Sequence, residues 1–139
     1  MAARKILIID DEPDTLMLVE SRLRANGYLV MTAADGETGF EIAKRELPQL
    51  ILADYMLPKM DGLKLCALLK KDSQCSAIPV IVFTAKAQEV DMKSAIEAGA
   101  DAYLTKPFTP QTLLETIQGV IQRPEGSAGA GGVVGPETD

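Results

Sequence analysis

Four short apolar runs, each closed by a polar residue, constrain this chain more than any other feature. They are Ile6-Leu7-Ile8-Ile9 into Asp10-Asp11, Leu50-Ile51-Leu52-Ala53 into Asp54, Val80-Ile81-Val82-Phe83 into Thr84, and Ala102-Tyr103-Leu104-Thr105 into Lys106. A run that is apolar at consecutive positions has no polar face to show water, so it suits a strand buried on both faces of a parallel sheet. Tyr28-Leu29-Val30-Met31-Thr32 is predicted to be a fifth strand, nearer an edge.

Helical patterns lie between these runs. Leu16, Val19 and Leu23 recur at helical spacing, and Asn26-Gly27 supplies a stop whose glycine can take positive φ. Asp35-Gly36 opens a helix carrying Phe40, Ala43 and Leu47 and ended by Pro48. Asp61 is placed to cap the segment holding Leu65, Leu68 and Leu69, since a carboxylate there accepts from the open amides of the first turn. Val90 to Ala98 forms a helix closing at Gly99, and Leu113, Leu114, Ile117, Val120 and Ile121 make the apolar stripe of the last one. Strand and helix thus alternate five times, which predicts an α/β parallel sheet covered on both faces with right-handed crossovers. Ligands of such sheets bind beyond the carboxyl ends of the strands, where the strand order reverses.

Composition narrows the partners. The length of 139 residues with 47% hydrophobic residues suits one globular domain that needs no staples. A net charge of -6 opposes the counterion release on which nucleic-acid binding depends. The opening apolar run is too short for a signal peptide and no run approaches a membrane span, so a cytoplasmic protein is expected, without nucleic acid or membrane as a direct partner. Cys66 and Cys75 are expected to be ordinary reduced thiols. The absence of histidine removes histidine bases, triads and phosphohistidine chemistry on this chain itself. From Pro124 the composition turns to Gly, Ala and Ser with little apolar surface, so 1–123 is expected to be the domain and 124–139 a flexible tail. The Gly129-Ala130-Gly131-Gly132 run within it lacks the preceding strand and following helix of a dinucleotide loop.

Asp10, Asp11, Asp54, Thr84 and Lys106 all fall at the carboxyl ends of predicted strands, so the fold would gather them at one rim. Crowded carboxylates repel one another unless a cation joins them, and hard oxygen ligands favour magnesium. Beside such an ion a carboxylate can attack a phosphoryl group to form a mixed anhydride. Lys106 would pair with one phosphoryl oxygen and Thr84 donate to another. Taken singly, each residue has a plainer reading: Asp10-Asp11 as a cap, Thr84 as a strand end, Lys106-Pro107 as a surface turn, Asp54 as a loop acid. All of these would have to hold together.

The chain resembles the receiver domains of bacterial response regulators from Lys5 through about Gln122. The resemblance is carried by Ile8-Ile9-Asp10-Asp11-Glu12-Pro13, by Leu52-Ala53-Asp54-Tyr55-Met56-Leu57-Pro58 with Met60-Asp61-Gly62, by Pro79-Val80-Ile81-Val82-Phe83-Thr84-Ala85, and by Ala98-Gly99-Ala100-Asp101-Ala102-Tyr103-Leu104-Thr105-Lys106-Pro107-Phe108. Four separated motifs in the family's order make the match specific. It implies a flavodoxin-like (βα)5 fold with strand order 2-1-3-4-5. It also implies phosphoryl transfer to Asp54 from the phosphohistidine of a sensor histidine kinase or histidine phosphotransfer protein.

The resemblance further implies that Asp11 and Asp54 bind magnesium (or manganese in its place) directly, Asp10 through a water, and Met56 through its main-chain carbonyl. Lys106 would be the phosphoryl anchor and Thr84 the hydroxyl that moves toward the phosphoryl group, past the small Ala85. Tyr103 would turn inward in response, altering a protein-interaction face; its plainer reading is a core-edge aromatic with a wet hydroxyl. Met56 and Lys86 match variable positions flanking the phosphoryl group, and the Lys106-Pro107 bond is expected to be cis. The chain would act on itself only, not as an enzyme on a separate substrate.

Two alternatives stand beside this. A hydrolase with an aspartyl-phosphate intermediate would want a second acid just beyond the nucleophile, where Tyr55 and Met56 stand. A pseudo-receiver would keep the fold without the chemistry, yet all five chemical residues are present. No residues remain after the tail for an effector, so either a protein partner reads the switch or the chain is a piece of a longer protein. The output partner, and whether phosphorylation drives dimerisation, stay open.

Overall fold

The computed structural model describes residues 4–84 and 97–121. Five parallel strands, β1 (Lys5–Ile9), β2 (Leu29–Ala33), β3 (Leu50–Asp54), β4 (Val80–Thr84) and β5 (Ala102–Thr105), form one sheet in the order β2-β1-β3-β4-β5. Among the described residues four whole helices, α1 (Pro13–Ala25), α2 (Gly36–Glu46), α3 (Gly62–Lys71) and α4 (Pro110–Ile121), cover it. The predicted helix over Val90 to Ala98 lies outside the described residues except for its end, where Gly99 takes φ +95°. The tail from Pro124, Ala85 and Lys86 also lie outside them.

The apolar runs become two cores because alternate side chains of a strand leave on opposite faces. Leu7, Ile9, Ile51, Ala53, Val80 and Val82 face the layer that holds Ala43 of α2 and Leu65, Cys66 and Leu69 of α3. Ile6, Ile8, Leu50, Leu52, Ile81 and Phe83 face Val19 and Leu23 of α1 and Leu113, Ile117 and Val120 of α4. Both faces are dry, which is why the strands carry no polar alternation. This is the doubly wound, flavodoxin-like architecture expected. Its order reverses between β1 and β3, opening a crevice at their carboxyl ends.

Local chemistry sets the helix ends. The Asp35 carboxylate accepts from the Thr38 amide at 2.7 Å, and that of Asp61 from the Lys64 amide at 2.8 Å, so both expected caps form. Gly27 takes φ +90° just past α1. Gly62 is required at the start of α3, because a Cβ there would press on the Asp54 carbonyl and the Tyr55 Cα. Three expectations change. Leu47 is not a core position of α2: it is the residue that ends the helix, left-handed at φ 45° and 46% exposed. Leu68 is half-buried while Cys66 takes the inner position on α3. The edge strand runs Leu29–Ala33, one residue later than predicted, because Lys5 pairs with Leu29 and the ladder proceeds from there. Cys66 and Cys75 are free and buried, and burial pushes the Cys66 thiol up to about 12.

At the amino ends of the strands a buried latch ties the layers together. Asp101, directly before β5, accepts from the Val80 amide at 2.9 Å and from Lys70 at 3.1 Å, while Lys70 also donates to the Ile78 carbonyl at 2.8 Å.

Candidate functional site

At the carboxyl ends of the strands the loops bring three carboxylates around one ammonium. Asp10 follows β1 and continues its ladder, its amide donating to the Ala33 carbonyl at 3.0 Å. Its side chain is fully buried, with Oδ1 accepting from the Glu12 amide at 2.9 Å and Oδ2 from Lys106 Nζ at 3.0 Å. Asp54 ends β3 and is 5% exposed; Oδ1 accepts from the Met56 amide at 3.2 Å and Oδ2 from Lys106 Nζ at 3.2 Å. Glu12 Oε1 accepts from the same ammonium at 3.3 Å. Lys106 also lies 5.0 Å from the centre of the Phe83 ring, which Phe108 meets edge-on at 5.9 Å.

Burial raises the Asp54 carboxyl to about 6; the Lys106 charge opposes the rise and the neighbouring Asp10 adds to it. Burial works to lower Lys106, but its hydrogen bond to Asp10 and the charge of Asp54 hold its pKa above the ordinary lysine value. Oxygens of Asp10, Glu12 and Asp54 all lie within 4.8 Å of one another. Three carboxylates against one ammonium leave excess negative charge in a confined, oxygen-only donor set, which fits a hard divalent cation.

The site gathers Asp10, Asp54 and Lys106 as expected. Asp11 is exposed and stands outside the group of three carboxylates, whose third member is Glu12. Thr84 closes β4, paired in register with Thr105; its side chain is not among those described. Met56 is exposed at the rim, its amide tied to Asp54. Tyr103 is 3% exposed and packs in the core on the α2 and α3 side, so it is not a wet edge residue in this structure. The Lys106-Pro107 bond is cis. A groove of about 390 Å³ is lined by Thr15, Leu18, Val19, Lys106, Pro107 and Phe108. Glu12 and the Phe83 ring were not singled out from the sequence. The available signals were an acid two residues past Asp10 and an aromatic directly before Thr84.

Residues 6–118 match the response regulator receiver domain family. The probable transcriptional regulator ycf27 of Porphyridium aerugineum is 43% identical over 123 residues, covering 88% of this chain and 50% of the relative. The alkaline phosphatase synthesis transcriptional regulatory protein PhoP of Bacillus subtilis (strain 168) is 40% identical over 122 residues, with the same coverage of 88% and 50%. The chain therefore spans about half the length of the curated relatives it matches. Among solved structures, the chemotaxis response regulator CheY4 of Vibrio cholerae gives a TM-score of 0.81 at 31% identity, over 86% of this chain and 99% of that one. The receiver domain of sensor histidine kinase PA1611 from Pseudomonas aeruginosa PAO1, which has a magnesium ion coordinated in its active site cleft, gives 0.81 at 32%, over 88% and 100%.

Proposed function

Because the chain belongs to the response regulator receiver domain family and is a receiver domain of two-component systems, we propose that Asp54 is its phosphoryl acceptor. The observation that carries this is the convergence of Asp10, Asp54 and Lys106, the lysine lying 96 and 52 positions from the two acids in sequence and 3.0 and 3.2 Å from them in space. Receiver domains pair with histidine kinases, so the donor is a phosphohistidine on a kinase or a phosphotransfer protein. The nitrogen–phosphorus bond breaks, its electron pair leaves with the imidazole, and a bond forms between phosphorus and an Asp54 oxygen.

Lys106 pairs with a phosphoryl oxygen as a point charge, and the Thr84 hydroxyl donates to another. Tyr103 follows Thr84 and passes the change to the surface that a partner reads. Magnesium is the ion this reading requires; Asp11, Asp54 and the Met56 carbonyl would hold it, with Asp10 acting through a water, and manganese would serve in its place. The chemistry such an ion supplies is neutralisation of charge on the transferring oxygens. Water later attacks phosphorus, releasing inorganic phosphate and restoring the carboxylate, so the chain turns over only its own phosphoryl group.

The domain is read as 1–123, followed by the tail. Among the described residues no helix is long and apolar enough to cross a membrane, which is compatible with the cytoplasmic setting of the reading. The two relatives are named as transcriptional regulators, and the matched stretch covers half of each. The net charge of -6 argues against DNA contact by this part itself.

The test is incubation with magnesium and a small acyl phosphate, followed by intact mass. One phosphoryl group per chain, lost in Asp54→Asn, is expected. An adduct that survives Asp54→Asn removes the assignment, no adduct at all points to the pseudo-receiver, and multiple turnover of phosphomonoesters points to the hydrolase.

A further inference from the structure

An ammonium group has three N–H donors and accepts nothing. In this structure Lys106 directs its donors at three carboxylates: Asp10 at 3.0 Å, Asp54 at 3.2 Å and Glu12 at 3.3 Å. On the reading above, from which this inference starts, the same ammonium must also meet a phosphoryl oxygen. A bond has to be given up, and the three are unequal. Asp10 is fully buried, and losing the ammonium there leaves its Oδ2 without the hydrogen bond to Lys106 while only Oδ1 keeps the Glu12 amide. Asp54 is the acceptor itself. Glu12 makes the longest contact and its side chain is 65% exposed, so water can replace the ammonium at little cost.

We infer that Glu12 is a placeholder ligand of Lys106, occupying the third donor until a phosphoryl oxygen displaces it, and so sets how readily the site accepts a phosphodonor. Its local structure suits exchange. The Glu12 amide is pinned to Asp10 Oδ1 at 2.9 Å, so the carboxylate pivots about a fixed backbone. Glu12 is also the N-cap residue of α1, yet its side chain makes no capping hydrogen bond and reaches Lys106 instead. It is a positioning residue: it acts through Lys106 and takes no part in bond making. With acetyl phosphate as donor, the oxygen–phosphorus bond breaks, acetate leaves with the electron pair, and the bond from the Asp54 oxygen to phosphorus forms.

The experiment follows adduct formation by intact mass in the full chain with magnesium and acetyl phosphate, for the wild type, Glu12→Gln, Lys106→Met and the double variant. Glu12→Gln is expected to speed phosphorylation by about two- to fivefold, the scale of an exposed ion pair, and to have no effect in the Lys106→Met background. Equal acceleration in both backgrounds would mean general repulsion of the anionic donor and would overturn the placeholder role, as would an unchanged or slower rate with Lys106 present. Urea unfolding of the same four proteins gives a second reading: favourable coupling between positions 12 and 106 is expected, and zero coupling overturns it. A wild-type adduct lost in Asp54→Asn, together with no effect of Glu12→Gln, removes this inference alone. An adduct that survives Asp54→Asn removes the acceptor assignment beneath it.

Discussion

Two buried lysine–aspartate arrangements sit at opposite ends of one sheet and behave as different chemistry. At the amino ends, Asp101 meets Lys70 and the Val80 amide, and Lys70 has the Ile78 carbonyl besides. Among the described residues one ammonium meets one carboxylate there, and backbone groups hold both. At the carboxyl ends, Lys106 faces Asp10, Asp54 and Glu12, and charge is not matched. Asp101 at one end and Asp10 and Asp54 at the other are all buried, so burial of the aspartate is not what separates a latch from a site. The surplus of carboxylate is. Burial pushes the Asp54 carboxyl up to about 6 and the neighbouring Asp10 adds to the rise, and among the described residues the one ammonium does not balance the three carboxylates.

The contrast yields four expected outcomes. Lys70→Met should destabilise the fold by about 3 kcal/mol, because it removes two charge-assisted hydrogen bonds, one to the buried Asp101 carboxylate and one to the Ile78 carbonyl. Urea unfolding measures this, and phosphorylation of the folded protein should be unchanged; intact stability would mean Asp101 needs no latch. Lys106→Met should slow Asp54 phosphorylation by about a hundredfold, about 2.7 kcal/mol of barrier, read from the rate of adduct formation. If the two lysines exchanged these phenotypes, the division between latch and site would be lost.

Asp54→Asn should stabilise the metal-free protein at neutral pH by about 1–2 kcal/mol. Ordinary aspartate titrates near 3.8 and folded Asp54 near about 6, so between those values the unfolded chain ionises while the folded one keeps its proton. The native carboxyl therefore costs stability progressively from about pH 4 to about pH 6. The benefit of asparagine should be absent below that window and complete above it, as thermal unfolding across pH would reveal. Millimolar magnesium should stabilise the wild type and not this variant. The smallest effect belongs to Asp61→Ala, which removes the cap of α3 and should cost about 1 kcal/mol in urea unfolding.

Much of the architecture was legible because it is written in short-range patterns. Consecutive apolar residues at 6–9, 50–53 and 80–83 leave no face for water, and Asp35 and Asp61 cap helices through bonds spanning three residues. Leu47 escaped because its apolar character fits the stripe of α2, while its φ of 45° follows from where the chain must turn toward β3. The edge strand shifted by one residue because its start is set by pairing with Lys5, a partner far away in sequence.

The site divides in the same way. That Asp10, Asp54 and Lys106 lie at or just past strand ends follows from the chain alone, since the apolar runs stop there. Which acid of Asp10-Asp11-Glu12 turns inward does not, because three adjacent carboxylates are equivalent to any pattern of hydrophobicity. The folded loop makes them unequal: Asp10 continues the ladder to Ala33, its side chain receives the Glu12 amide, and Glu12 swings over Lys106 while Asp11 faces solvent. Periodicity along a chain specifies which face a residue takes within a strand. The direction of a side chain past the strand's end depends on the backbone of a turn and on a cation brought from 94 positions away.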